Sequence, residues 1–301
     1  MLHLHLMESI EKYIIKADDL PVRLLDFCIK NLKKINTRAG IKKALKREEI
    51  YLNGKVCGGG RWLNENDIVE IFEPKISNHK SFPLKLKIVF EDDLIAVIEK
   101  PAGYEVSGNK FKTIQNALTY NLKPSQKVDR LSRPVPVHRL DYGTSGLLIC
   151  AKTHTAAFDL SKQFEEKLIH KTYHAIVNGS PSNEGIIKDK INGKTAETHF
   201  KKLNTINSLV AGQISLLKLN PLTGRKHQIR IHLSGIGHPI VGDKDYMGNF
   251  HLLKGKGLFL AATSVKLLHP EKQVLMEFSM DIPNKFTSLL KREEERFNKL
   301  G

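Results

Sequence analysis

Residues 138–152 read His-Arg-Leu-Asp-Tyr-Gly-Thr-Ser-Gly-Leu-Leu-Ile-Cys-Ala-Lys. The second half, residues 147–151, is a short apolar run that predicts a buried strand. The first half is polar and glycine-containing, which favours a tight turn before the strand. Asp141 lies in this turn, with Arg139 two residues before it. A carboxylate mounted there is partly desolvated and suited to chemistry, although Asp also favours turns for its own hydrogen bonds.

The composition favours a polyanionic partner. The chain has 301 residues, enough for one large domain and a small one, and its hydrophobic content of 41% permits a sizeable core. Lys and Arg number 48 against 32 acidic residues, which gives a net charge of +16. This surplus fits nucleic acid or an anionic membrane surface, and charge alone does not choose between them.

Secretion, membrane insertion and metal binding find little support in the sequence. The N-terminus lacks a basic start followed by a long apolar run, and no apolar stretch approaches the ~20 residues that span a bilayer. Three separated cysteines argue against a disulfide framework and indicate a reducing cytoplasm. His170 and His174 lack a third ligand of suitable spacing, so no metal site is predicted.

Residues 20–75 are predicted to form a separate small domain. Apolar residues at helical spacing predict two helices, and Thr37 is a suitable N-cap for the second. Asn53-Gly54 between two apolar runs predicts a tight hairpin turn. Residues 1–20 are expected to be a short extension, and residues 73–83, with Pro, Ser and Asn, a linker.

The helical part of this domain carries basic residues of one sign only. Between residues 30 and 47 there are eight basic residues and no acidic one. They are Lys30, Lys33, Lys34, Arg38, Lys42, Lys43, Lys46 and Arg47. Most charge runs are solvated helix faces, but like charges repel one another unless a polyanion neutralises them.

Residues 84–290 are predicted to form the larger domain. A hairpin is expected over 84–100, and because prolines interrupt residues 110–139 we expect mostly loop there. A helix is predicted after Lys152, followed by an alternating strand over 171–179. Further strands and a charged C-terminal helix complete the expected domain.

Three separated motifs resemble those of the RluA-type pseudouridine synthases. They are His138-Arg139-Leu140-Asp141-x-x-Thr144-Ser145-Gly146, Lys171-x-Tyr173-x-Ala175-x-Val177-x-Gly179, and Thr223-Gly224-Arg225-x-His227-Gln228-Ile229-Arg230 with the sequel Gly237-His238-Pro239-Ile240-x-Gly242-Asp243. Lys100-Pro101-Ala102-Gly103 also resembles a family segment, although in isolation it is an ordinary turn. Together the likeness covers roughly residues 22–282.

The resemblance implies a reaction and a set of site residues. The reaction is isomerisation of uridine to pseudouridine within RNA, which needs no cofactor. The family's catalytic Asp corresponds to Asp141, the base-packing Tyr to Tyr173, and the Arg that pairs with the Asp to Arg230. Arg139, which would occupy the space vacated by the base, and Ile229 correspond to substrate-binding positions. Read without the resemblance, Tyr173 is a core residue of a sheet and Arg230 part of a basic helix face.

Residues 22–72 resemble the small S-four-like RNA-binding domain. The resemblance rests on two helices followed by a hairpin turn, here Leu52-Asn53-Gly54-Lys55. It implies that the helix pair lies against RNA. The side chains placed near phosphates are Arg38, Lys42, Lys43, Lys46 and Arg47.

The resemblance implies an α+β fold, with a large mixed, mostly antiparallel sheet in the catalytic domain and a small α/β N-terminal RNA-binding domain. We expect a cytoplasmic monomer with no required protein partner and no membrane association. Large-subunit ribosomal RNA is the expected substrate, and transfer RNA stays open. Two other hypotheses are a non-catalytic RNA-binding or ribosome-assembly factor and, on charge alone, a membrane-surface binder.

Overall fold

The computed structural model describes residues 9–33, 35, 37–72, 81–248 and 256–300. The chain forms two compact units, residues 1–79 and 80–301. Most of the predicted linker at 73–83 lies outside the described residues. No described helix combines the length and the apolar character needed to cross a membrane.

The N-terminal unit packs two helices against a four-stranded antiparallel sheet. Its elements are β1 (Glu11–Ile14), α1 (Leu24–Asn31), α2 (Arg38–Lys46), β2 (Ile50–Leu52), β3 (Lys55–Val56) and β4 (Ile68–Ile71), with strand order β1-β4-β2-β3. Leu24 and Ile41 from the helices and Val69 from the sheet are fully buried together. Burial of this apolar face provides the main stabilisation of so small a unit.

Two local predictions in this unit are confirmed and one is wrong. The Thr37 hydroxyl accepts a hydrogen bond from the Gly40 amide at 3.1 Å, which caps α2. Asn53 and Gly54 have φ values of 52° and 71°, as a type I′ hairpin turn requires. The expectation that residues 1–20 are only an extension is wrong, because Glu11–Ile14 pair with β4 as an edge strand.

The C-terminal unit is built on a ten-stranded sheet. Its elements are β5 (Lys87–Glu91), β6 (Ile95–Lys100), α3 (Ile114–Asn121), β7 (Arg130–Pro136), β8 (Ser145–Thr153), α4 (His154–Glu165), β9 (His170–Asn178), β10 (Glu184–Ile187), β11 (Thr198–Ser208), β12 (Gly212–Pro221), α5 (Gln228–Gly235), β13 (Leu260–Leu268), β14 (Leu275–Ser279) and α6 (Asn284–Leu300). The order is β10-β11-β12-β9-β13-β8-β6-β5, with β14 on β13 and β7 on β8.

The sheet is mixed and mostly antiparallel, so the predicted α+β fold is confirmed. Only the β13–β8 pair is parallel among the described strands. The predicted strand at residues 147–151 is the buried interior of β8, with every one of those residues at most 2% exposed. The predicted helix after Lys152 is α4, and the Thr153 hydroxyl caps it by accepting from the Ala156 amide at 3.1 Å.

Residues 110–139 are not mostly loop. Helix α3 occupies 114–121, with the Thr113 hydroxyl accepting from the Asn116 amide at 3.2 Å. Strand β7 pairs with β8 and contains Pro134 and Pro136. Prolines are compatible with an edge strand, because an edge position does not need every backbone N–H. The expectation failed because it treated the prolines as signals for loop throughout.

Candidate active site

A buried lysine holds the turn that carries Asp141. Lys100 is 1% exposed, and its Nζ donates hydrogen bonds to the carbonyl oxygens of Thr144 at 2.7 Å and Pro101 at 3.0 Å. Burial lowers the pKa of Lys100 to about 8, and the charge of Asp141 opposes that effect. The turn itself closes with the Thr144 amide donating to the Asp141 carbonyl at 3.1 Å. Lys100 was missed as a site residue, because its motif also reads as an ordinary turn.

A close approach of two strands fixes where this turn leaves the sheet. Gly146 has φ +121°, and a Cβ built on it would lie 2.1 Å from the Ala262 carbonyl oxygen of β13. Only glycine fits both the backbone conformation and the space. The parallel β8–β13 pair therefore depends on this residue, at the point where β8 follows the Asp141 turn.

Tyr173 reaches the same cavity from β9. It pairs with Ala262 of β13 on one side and Leu219 of β12 on the other, so its backbone is central in the sheet. Burial raises the pKa of its hydroxyl, and the charge of Asp141 raises it further. The hydroxyl therefore stays protonated, and Tyr173 offers both an aromatic face and a hydrogen-bond donor near Asp141.

Gln228 fixes the loop between β12 and α5. Its buried side-chain oxygen accepts from the Thr223 hydroxyl at 2.6 Å and from the Arg225 amide at 3.0 Å. Its side-chain nitrogen donates to the Thr198 hydroxyl at 3.0 Å. These bonds order the loop of the third motif before α5 begins.

Arg230 contacts two carboxylates, and Asp141 is not one of them. Its guanidinium donates two hydrogen bonds to buried Asp243, at 2.7 and 2.6 Å, and one to Asp245 at 2.7 Å. Burial alone would lower its pKa, but these hydrogen bonds outweigh burial and raise it. The expected direct pair with Asp141 is therefore absent at ion-pair distance, although the Asp141 charge also contributes to the raised pKa.

Among the described residues, His227 is the basic side chain that lies within 4 Å of the Asp141 carboxylate, and the sequence did not single it out. Its Nε2 lies 3.9 Å from the Asp141 carboxylate, and its Nδ1 lies 2.9 Å from the Tyr246 hydroxyl. Burial lowers the pKa of His227, which the Asp141 charge partly opposes. The residue has φ 56° and ψ 21°, a left-handed conformation that is uncommon among residues other than glycine. Residues in this conformation occur at active sites as well as in ordinary turns, so the geometry is compatible with a functional role.

Several of the predicted site residues, together with His227, line one cavity of about 730 Å³ in the C-terminal unit. Arg139, Asp141, Tyr173, His227 and Ile229 are in its wall. Arg139 is exposed at the opening, whereas Ile229 is 6% exposed and belongs to the core as well. Arg230 is not part of the wall, so its influence is exerted through α5 and through its charge.

The basic residues predicted to contact RNA lie on the N-terminal unit. Arg38, Lys42, Lys43, Lys46 and Arg47 are all exposed, on α2 or directly after it. Arg38 is 3.5 Å from Asp26, and Arg47 is paired with Glu49. The three lysines have no ion-pair partner within the described part of the unit. No group of three potential metal ligands occurs among the described residues of the whole chain.

The family profile described as RNA pseudouridylate synthase matches residues 94–235, which contain all three catalytic-site candidates. A relative from Aquifex aeolicus, named as an uncharacterized RNA pseudouridine synthase, is 33% identical over 86% of this chain and 90% of its own length. The chain belongs to the RluA-type RNA pseudouridine synthases. It is therefore an isomerase that acts on RNA.

Other relatives and one solved structure agree with this assignment. The ribosomal large subunit pseudouridine synthase C of Vibrio parahaemolyticus is 30% identical over 91% of this chain and 93% of its own length. The structure of human RNA pseudouridylate synthase domain containing 1 is 25% identical, with a TM-score of 0.56. That match covers 68% of this chain and 86% of the human chain.

Proposed function

We propose that this synthase isomerises specific uridines in large-subunit ribosomal RNA and that Asp141 is its catalytic residue. The observation that carries the proposal is the position of Asp141. Its carboxylate, 17% exposed, lies in the cavity wall with Tyr173 and His227, on a turn held by buried Lys100. A carboxylate that is reachable but rigidly held suits a catalytic role.

The proposed roles follow from what each side chain offers. A uridine in a stem must first leave the base stack, at a cost of a few kcal/mol. Tyr173 then packs against the extruded uracil, and Arg139 at the cavity opening occupies the space left in the helix. Asp141 attacks the sugar or acts as a base on it, and Ile229 supplies an apolar contact.

Arg230 is proposed to support Asp141 at a distance. Asp243 and Asp245 hold its guanidinium in place, and the positive charge of Arg230 interacts with the Asp141 carboxylate without contacting it. The proposal differs from the direct pair expected from the resemblance. It makes Arg230 a positioning residue of α5 rather than a group in contact with substrate.

The N-terminal unit is proposed to bind RNA in the manner of an S-four-like domain. Exposed Lys42, Lys43 and Lys46, without ion-pair partners among the described residues, support phosphate contacts by α2. The substrate class is supported by the names of the relatives from Vibrio parahaemolyticus and Nitrosomonas europaea, both ribosomal large subunit pseudouridine synthases. The three free cysteines support a cytoplasmic location.

Pseudouridine mapping tests the enzyme proposal. Total RNA is compared from cells with the gene intact, deleted, or replaced by Asp141→Asn, by chemical labelling and primer-extension stops. We expect the same few stops in large-subunit ribosomal RNA to vanish in both altered strains. Asp281→Asn, an exposed carboxylate outside the cavity, is the matched control and should keep every stop.

The alternative, a non-catalytic RNA-binding or ribosome-assembly factor, predicts a different pattern. All stops would persist in the deletion strain, while ribosome assembly would be disturbed by deletion alone. Purified Asp141→Asn protein should also bind the target RNA about as tightly as wild type, because the substitution is nearly isosteric. Comparable turnover in that variant would remove Asp141 from its proposed role.

A further inference from the structure

A second cavity adjoins the one that contains Asp141. The second one has a volume of about 560 Å³, and the two share six wall residues. The shared residues are Lys167, Ile169, Lys171, Pro221, Leu222 and Thr223. The two cavities are therefore adjacent, and Lys171 belongs to the wall of both.

Lys171 lies at the junction and has no anionic partner. Its Nζ has neither a hydrogen bond nor a carboxylate within 4 Å among the described residues of this unit, although Glu165 is also in the wall of the first cavity. Its neighbours are the Phe164 ring, with the centroid 5.8 Å from Nζ, and His138. Burial lowers the pKa of Lys171 and, together with the nearby Lys171 charge, lowers that of His138 to about 3.

Lys171 is partly buried, and a partly desolvated ammonium without an anionic partner is stabilised when a ligand brings a negative charge beside it. His138 is held in its neutral form, because its Nε2 accepts a hydrogen bond from the Ile149 amide at 3.0 Å. Its ring lies 5.0 Å from that of Phe164. A neutral His138 therefore cannot compensate for the positive charge of Lys171. The Lys171 ammonium therefore has no anionic partner among the described residues of this unit. An anionic group of the substrate would supply one.

The distance along β9 fits a nucleotide. Lys171 and Tyr173 are two residues apart on one strand, so their side chains share a face and start about 7 Å apart. With Tyr173 against the extruded uracil, Lys171 is in reach of the sugar–phosphate backbone beside it. The second cavity is lined by buried Ile169 and Pro221 and by exposed Lys188, which lies 3.8 Å from Glu197 in the same wall.

We infer that Lys171 binds the backbone phosphate on one side of the target uridine and that the second cavity takes the neighbouring nucleotide of the same strand. The inference rests on the proposed function for the identity of the ligand as RNA. Lys171 is then a substrate-binding residue that selects for a chain of nucleotides over a free uridine. Its charge is part of the binding energy rather than of the fold.

The first test uses methylphosphonate substitution, which removes the charge of one phosphate at a time. The RNA is a fragment carrying the mapped uridine, and the protein is the full chain with Asp141→Asn, so that no turnover occurs. We expect one flanking substitution to weaken binding about tenfold. Adding Lys171→Met should abolish sensitivity at that phosphate and reduce the slope of log Kd against log salt by about 0.7 to 0.9.

Lys162→Met is the matched control, because Lys162 is an exposed residue of α4 that is 3.8 Å from Glu166. It should leave the sensitivity unchanged. If the Lys171→Met protein keeps full sensitivity to every neutralised phosphate, the inference is overturned. A melting temperature equal to or above that of wild type is also expected for Lys171→Met, and a large fall would assign the lysine to stability instead.

A second test separates this inference from the proposed function. Binding of uridine, uridine 3′-monophosphate and uridine 5′-monophosphate is compared by calorimetry for wild type and Lys171→Met. We expect one monophosphate to bind wild type at least fivefold more tightly than uridine, and Lys171→Met to lose that advantage. An equal phosphate advantage in both proteins overturns the phosphate site even if ribosomal RNA proves to be the substrate.

Discussion

Replacement of Lys100 by Met should change how stability depends on pH. The pKa of Lys100 is about 8 in the folded chain, against 10.5 for an unburied lysine. Between these values the unfolded chain binds more protons than the folded one, so this residue makes stability rise with pH in that window. At 1.36 kcal/mol per pH unit, the difference corresponds to about 3 kcal/mol.

Methionine keeps most of the length of the side chain but cannot titrate. It also leaves the Thr144 and Pro101 carbonyls without their donor, at about 1 to 3 kcal/mol for each buried group left unsatisfied. At pH 7 this loss opposes the gain from removing a buried charge, so the net change there is small compared with its parts. The change with pH is the cleaner observable, because the carbonyl term is independent of pH.

The assay is urea unfolding of wild type and Lys100→Met, followed by circular dichroism at half-unit steps from pH 7 to 11. The free energy of unfolding of wild type minus that of the variant should rise by about 3 kcal/mol, mostly between pH 8 and 10.5. Tyrosines, cysteines and other lysines titrate equally in both proteins and cancel in the difference. A difference that stays flat across the whole range refutes the reasoning, since Lys100 would then not be a buried ammonium.

Two further substitutions test the supports of the site. Asp243→Asn should destabilise the protein by about 3 to 5 kcal/mol in urea unfolding, because it leaves the buried Arg230 guanidinium without its bidentate partner. Asp245→Asn, at a carboxylate that is 62% exposed, should cost less than about 1 kcal/mol. Equal losses would show that Asp243 has no special role. Gly146→Ala should prevent accumulation of folded protein, measured by solubility and circular dichroism, because the added Cβ would clash with the backbone of β13. Gly193→Ala, whose added Cβ would have no atom within 4 Å, should cost only about 1 kcal/mol of backbone strain. A folded, active Gly146→Ala enzyme would contradict the close β8–β13 approach.

Local features of the fold could be predicted from sequence because their physics is local. The cap at Thr37 and the turn at Asn53-Gly54 depend on a few adjacent residues, and both were found. Strand β1 and helix α3 were missed for different reasons. The strand Glu-Lys-Tyr-Ile gains its stability from β4, more than fifty residues away, whereas α3 had a readable cap at Thr113 that the surrounding prolines obscured.

The candidate site also combines features that the sequence could predict with contacts that exist only in the folded chain. The three motifs predicted that Asp141, Tyr173 and Ile229 belong together, and the structure places all three in one cavity wall. The partner of Arg230 could not be predicted, because Asp243 stands in the quoted motif without any sign of what it binds. Lys100 and Lys171 both belong to sequence motifs of the family. The burial of Lys100 and the missing counter-charge of Lys171 are properties of the folded chain only, so the sequence could not predict them.

The order of strands in the sheet has a consequence for synthesis of the protein. Strand β13, residues 260–268, lies between β8 and β9, which were made about a hundred residues earlier. Among the described strands, β13 is the one that pairs with both β8 and β9, so until it has been synthesised the sheet lacks the strand that joins them. The sheet around the Asp141 turn and Tyr173 is therefore expected to assemble only after residues 260–268 have been synthesised.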